Sequence, residues 1–138
     1  MQWLMWQMGG LGPMAGQNHH FNVYAPEELP YAKDRYTNET GRLYAVLNKR
    51  LEDRAFMAGD DYSIADMASY PWIVPWERQK QDLNAMPNLK RWFEAIASRP
   101  ATIEAYALTE QVNPDGATAN STEESRKLLF GQSAKTVR

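Results

Sequence analysis

The sequence predicts an all-α fold, a bundle of five to six helices with a central buried helix. Three observations predict it. Tyr36, Thr40, Leu43, Tyr44, Leu47 and Leu51 recur at i, i+4, i+7, i+8, i+11 and i+15, the stripe of one long amphipathic helix. The string Tyr62-Ser63-Ile64-Ala65-Asp66-Met67 has the form of a capping box. Ser63 is the N-cap, Asp66 reaches back to its amide, and Tyr62 and Met67 occupy the staple positions. No segment alternates with the two-residue period of a half-buried strand.

In chain order, Trp3 to Met8 reads as a short helix, bent or weakened by the cluster Gly9, Gly10, Leu11, Gly12, Pro13. Asn18 to Ala25 reads as a loop. The long helix is expected from Pro26 or Glu27 to Asp53, with Glu27 and Glu28 at its positive end and Lys49 and Arg50 at its negative end. The Gly59-Asp60-Asp61 turn leads to the capping box. The helix it opens, about Ser63 to Trp76, is apolar nearly all round and is expected to be enclosed, with Pro71 and Pro75 kinking or ending it. After Pro87, the spacing of Leu89, Trp92, Phe93 and Ile96 gives another helix, ended at Arg99-Pro100. A short helix over 101–108 is expected to bury Ile103 and Tyr106. Thr109 to Asn120 reads as a loop, and Ser121-Thr122-Glu123-Glu124 as a capping box opening a short helix that Gly131 stops. The expected organisation is one domain over 1–108 and a tail over 109–138 with a helix near 121–130, its end frayed.

Composition excludes several classes of function. The net charge of −2, from 15 basic and 17 acidic residues, gives no drive toward nucleic acid or anionic membranes. With no cysteine, the chain has no disulfide, zinc ribbon, Fe–S cluster or thiol nucleophile of its own. No apolar run approaches the ~20 residues of a membrane span, and MQWLMWQMGG lacks the basic start of a signal peptide. A cytoplasmic location is expected.

Few residues point to chemistry. Gly10-Leu11-Gly12-Pro13-Met14-Ala15 matches G-x-G-x-x-A in letters only, because helix and not strand precedes it. His19 and His20, the two histidines, have no second pair at metal-ligand spacing and read as one packed ring and one solvated ring. Asp60-Asp61 and Glu27-Glu28 read as turn and helix-start carboxylates. Trp6, Trp72 and Trp76 read as core, or as an apolar cleft. Arg35 is set apart by Tyr31 and Tyr36 beside it, since an arginine with neighbouring phenols clamps carboxylate or phosphate. No residue reads as a nucleophile or catalytic base, and none as a metal ligand.

The Tyr62–Met67 string closely resembles the capping box and staple of the central helix in the C-terminal domain of glutathione transferases. Residues 2–14 and 16–21 resemble the first helix of that domain in the bacterial Nu-class branch. Pro30-Tyr31-Ala32, Arg35-Tyr36, 47–52 and Arg99-Pro100-Ala101 continue the likeness. The resemblance implies a homodimer held through the first two helices, glutathione as co-substrate, and disulfide-bond reduction as the activity. It also implies a thioredoxin-like domain that activates glutathione and has no counterpart in this sequence. Gln7 and Arg35, and Tyr31 after them, would then line the second-substrate wall. There Arg35 would pair with a carboxylate and Gln7 with the peptide. The chain is expected to be inactive alone and to bind glutathione weakly. The alternative is a non-catalytic interaction or dimerisation module.

Overall fold

A computed structural model describes residues 1–112 and 122–136. The chain forms two compact units, Met1–Ala97 and Ser98–Arg138. In the first unit, α1 (Gln2–Trp6) and α2 (Gly12–His19) belong to one helical rod, α3 (Pro30–Arg50) and α4 (Ile64–Ile73) pack on it, and α5 (Pro87–Ala97) packs on α3 and α4. The second unit holds α6 (Pro100–Val112) and α7 (Glu123–Phe130). Counting the rod once, the described residues form six helices and no strand.

The rod corrects one expectation and gives form to another. The weakening expected of the glycines and Pro13 takes the shape of one widened turn, and the helix runs on through it. Pro13 has no N–H to donate, and its ring crowds the carbonyl four residues back. The turn Gln7–Leu11 therefore opens to a π-helical one, in which the Gly12 N–H donates to the Gln7 carbonyl. Asn18 to Ala25 is not a loop. Helix runs through His19 into a second π turn, His20–Tyr24, closed by the Ala25 N–H on the His20 carbonyl at 2.8 Å. Asn22 supplies the tertiary reason, donating to Asn18 Oδ1 and to Thr37 Oγ1 on α3. Local polarity suggested a loop; these partners hold a helix.

The long helix starts later than expected, at Pro30, whose fixed φ and absent N–H suit the first helical position. Glu27 and Glu28 lie before it, and Glu28 instead accepts from Lys33 at 2.6 Å. Thr40, Leu43, Tyr44 and Leu47 are buried, as their spacing requires. At its other end α3 serves α5: Asn48 Oδ1 accepts from the N–H groups of Asn88 and Leu89, both at 3.0 Å. This satisfies two of the donors that a helix N-terminus leaves open. Arg91 of α5 returns two bonds to carbonyls just past α3, those of Leu51 and Arg54.

The capping box of α4 forms as predicted. Ser63 Oγ accepts from the Ala65 N–H, and Asp66 Oδ2 accepts from the Ser63 N–H and hydroxyl. Asp66 does more than the box asks. It is fully buried, and its Oδ1 accepts from the Met57 N–H at 2.9 Å and the Trp92 indole N–H at 2.8 Å. Of the staple pair, Tyr62 packs on Phe56 while Met67 is exposed. The helix sits at the centre with Ala65, Asp66, Ser69, Tyr70 and Ile73 inside. Its other flank is open, with Ile64 61% and Met67 52% exposed. Pro71 lies on the exposed side, where water can serve the carbonyl it leaves unpaired.

Beyond α4 the chain makes one more helical turn and stops at Lys80. The Gln81 N–H donates to the Trp76 carbonyl and the Lys80 N–H to that of Glu77, both at 3.0 Å. This is a Schellman ending, and Lys80, at φ 59°, holds the left-handed position that glycine usually fills. Lys80→Gly is expected to raise stability by roughly 0.5–1 kcal/mol and Lys80→Val to lower it. Urea midpoints at an unchanged slope would show both shifts.

In the second unit, α6 runs to Val112, past the expected end at 108, and residues 113–120 of the expected loop lie outside the described residues. Ile103 and Tyr106, expected to be buried, are 57% and 41% exposed. The cap of α7 is Thr122, whose hydroxyl accepts from the Ser125 N–H; Ser121, expected to open the box, lies outside the described residues. Among the described residues no helix is long and apolar enough to cross a membrane.

Candidate functional site

The first half of α3 presents one face to a groove of about 450 Å³, with Met14 of α2 on its other side. Tyr31, Asp34, Arg35, Asn38, Glu39 and Arg42 line it, at the three- and four-residue steps that bring side chains together on a helix. The charges are in two different states. Arg42 grips Glu39 through Nε and Nη2, both at 2.8 Å. This grip holds the Glu39 carboxyl below its usual range and the Arg42 guanidinium above its own, and the charge of Arg35 pulls Glu39 further down. The Arg35 side chain, by contrast, makes no hydrogen bond or ion pair among the described residues and is exposed. Tyr31 beside it is 80% exposed.

Gln7 lies elsewhere. It is buried on a second groove of about 410 Å³, with Met8, Gly12, Pro13, Gly16, Gln17 and Trp72. Gly12 leaves room there: a Cβ on it would stand 2.8 Å from Gln7 Nε2 and 3.2 Å from the Trp72 ring, so the Gln7 side chain would have to move. Of the three residues singled out from sequence, Arg35 and Tyr31 share a groove and Gln7 belongs to another. Asp34 lines the first groove and was passed over as a site residue; Trp72, read as core or apolar cleft, lines the second, apart from Trp6 and Trp76. The signal for Asp34 was present, one helical turn from Tyr31; the pairing of Trp72 with Gly12 and Gly16 was not readable, because they lie 60 and 56 positions away.

The other candidates resolve into packing. The His19 ring lies 5.1 Å from that of Tyr24, tilted to it, and His20 meets Phe21 edge-on. Burial, with a smaller push from the Arg78 charge, lowers the His19 pKa below its ordinary value. Its Nδ1 is buried without a partner among the described residues. Trp6 and Trp76 pack against the core. Among the described residues no three acidic or histidine side chains gather as a metal site.

The pattern of the family described as "Glutathione S-transferase, C-terminal domain" matches residues 13–100, more than half of the chain. The chain belongs to this family. The expectation drawn from the capping box and the first helix is thereby met. The transferase-family chain is 59% identical over 105 residues to the disulfide-bond oxidoreductase YfcG of Escherichia coli, covering 76% of this chain and 49% of that protein. It is 38% identical over 108 residues to a second disulfide-bond oxidoreductase of that species, YghU, covering 73% and 38%. A glutathione transferase of Burkholderia graminis, solved with two glutathione molecules bound per subunit, superposes with TM-score 0.68 at 40% identity, covering 75% of this chain and 46% of that one. A glutathione transferase of Pseudomonas putida, solved with one glutathione disulfide per subunit, gives TM-score 0.67 at 38% identity, covering 75% and 47%. The chain thus spans half or less of the length of these relatives.

Proposed function

We propose that this chain is the second-substrate side of a glutathione-dependent disulfide reductase and is inert by itself. The exposed and unpaired Arg35 beside Tyr31 carries the reading. A guanidinium exposed on a helix face, with no hydrogen bond or ion pair among the described residues, is suited to bind a carboxylate from a ligand. The ligand we assign is a second glutathione, or the far half of glutathione disulfide. Gln7 is assigned to its peptide groups from the neighbouring groove. Two relatives of this fold were solved with such molecules bound. The activation of the thiol we assign to a thioredoxin-like domain outside these 138 residues. The open flank of α4, with Ile64 and Met67, is a suitable surface for it, since apolar groups of that size are usually covered.

Two measurements test this. Glutathione disulfide is expected to bind the 138-residue chain with a Kd of roughly 1 mM or weaker, as exposed ion pairs give little energy. Arg35→Gln is expected to weaken that binding further, and raised salt to do the same. In a thiol–disulfide exchange assay with glutathione the chain alone is expected to show no turnover above background. Turnover comparable to that of a two-domain relative would sink the reading.

A second reading is favoured by the exposed Met5 and Met8 on the rod and Ile64 and Met67 on α4, the helix packed against it. On that reading the chain is a non-catalytic module that associates through this face or pairs as a homodimer through its first two helices. Light scattering at high concentration is then expected to show a dimer or larger species, and a strict monomer would argue against it.

A further inference from the structure

Asp34 is the residue the reading above leaves unused. It lines the same groove as Arg35, and its carboxylate makes no hydrogen bond or ion pair among the described residues. The groove therefore holds one satisfied pair, Glu39 with Arg42, and one open charge of each sign. Asp34 and Arg35 are adjacent in sequence and point about 100° apart around the helix, so they do not close on each other. Tyr31 stands one turn before both and Asn38 one turn after both, each three residues from one and four from the other. The four side chains line one stretch of the groove, with one cation and one anion among them.

A simple carboxylate would answer Arg35 and leave Asp34 facing it as a like charge. A ligand group carrying a carboxylate and an ammonium on one carbon answers both. We propose that this patch selects the zwitterionic α-amino-acid head of its ligand. Resting on the proposed function, this means that the γ-glutamyl end of the second glutathione lies here, and not the glycine end. Arg35 takes the α-carboxylate and Asp34 the α-ammonium, with the Tyr31 hydroxyl and the Asn38 amide beside them. The pairing discriminates by charge sign, because a ligand lacking the ammonium meets an uncompensated carboxylate.

The test compares three disulfides by NMR titration of the 138-residue chain: glutathione disulfide, its analogue lacking both α-amino groups, and the disulfide of γ-glutamylcysteine, which lacks glycine. The desamino analogue is expected to bind about two- to fivefold more weakly than glutathione disulfide, and the glycine-free one about equally. Asp34→Asn is expected to abolish the preference for the amino group while keeping the Arg35-dependent binding. Equal binding of the desamino analogue, with Arg35→Gln still weakening all three, overturns the zwitterion proposal and leaves the second-glutathione reading standing. Loss of affinity on removing glycine alone places the opposite end in the groove and also overturns it. Binding that Arg35→Gln leaves unchanged, or none at the solubility limit, overturns both.

Discussion

Asp66→Ala is expected to cost at least about 3 kcal/mol of stability and to lower Tm by roughly 10 °C or more. The buried carboxylate accepts four hydrogen bonds, from the Ser63 N–H and hydroxyl, the Met57 N–H and the Trp92 indole. Alanine removes all four at once and leaves donors in the core with no water to replace the acceptor. The loss reaches three elements: the start of α4, the loop before it, and α5 through Trp92, which is itself fully buried. Trp92→Phe removes one donor and keeps most of the ring, so it is expected to cost about 1 kcal/mol from that bond plus the packing change. A double-mutant cycle between the two positions isolates the indole bond. A loss under 1 kcal/mol on urea denaturation of Asp66→Ala would show that the carboxylate is not what ties α4 to α5.

Gln79→Ala is expected to cost about 2 kcal/mol, partly from lost bonds and partly from a cavity. Gln79 is 1% exposed. Its Oε1 accepts from the Tyr44 hydroxyl at 2.8 Å and its Nε2 donates to the Trp72 carbonyl at 3.0 Å. That carbonyl has no helical partner, because the Trp76 N–H goes to Ile73 instead. The Tyr44 hydroxyl, whose one proton Gln79 Oε1 takes at the shorter distance, lies 3.3 Å from the same carbonyl. The Gln79 backbone carbonyl, which the substitution keeps, accepts from Asn18 and Gln81. The same site predicts an alkaline limit. Burial pushes the Tyr44 phenol far above its ordinary 10.0. Above that pH the unfolded chain releases this proton while the folded one retains it. Stability from Tyr44 is therefore complete below pH 10 and lost as pH rises beyond it. Tyr44→Phe is expected to be less stable at neutral pH and to show a shallower alkaline decline. An equally steep decline would assign the limit to other groups.

The helices were legible wherever a local rule governs them. The stripe from Thr40 to Leu47, the Ser63–Asp66 box, the Leu89–Trp92–Ile96 spacing and the stop at Arg99-Pro100 depend on residues within two turns of one another. The Lys80 stop was not legible, because a lysine in a left-handed position carries no mark in the sequence. Nor was the helix through Asn18–Tyr24, where Asn22 depends on Thr37, 15 positions away.

The site divides in the same way. Arg35 with Tyr31 was readable, because a four-residue step on a helix brings them together whatever else the chain does. That Arg35 is left unpaired while Arg42 is locked could not be read, since both have acidic residues nearby. The separation of Gln7 from Arg35 was equally hidden.

The sequence alone determined the family, the inward stripes of α3 and α5, and the cap of α4, because periodicity and capping are properties of neighbouring residues. Only the tertiary structure decided that Asp66 gathers donors from three segments, that Gln79 closes the open end of α4, and that Gln7 and Arg35 face different grooves. Each of these depends on the distance between groups far apart along the chain, which packing sets and local pattern does not encode.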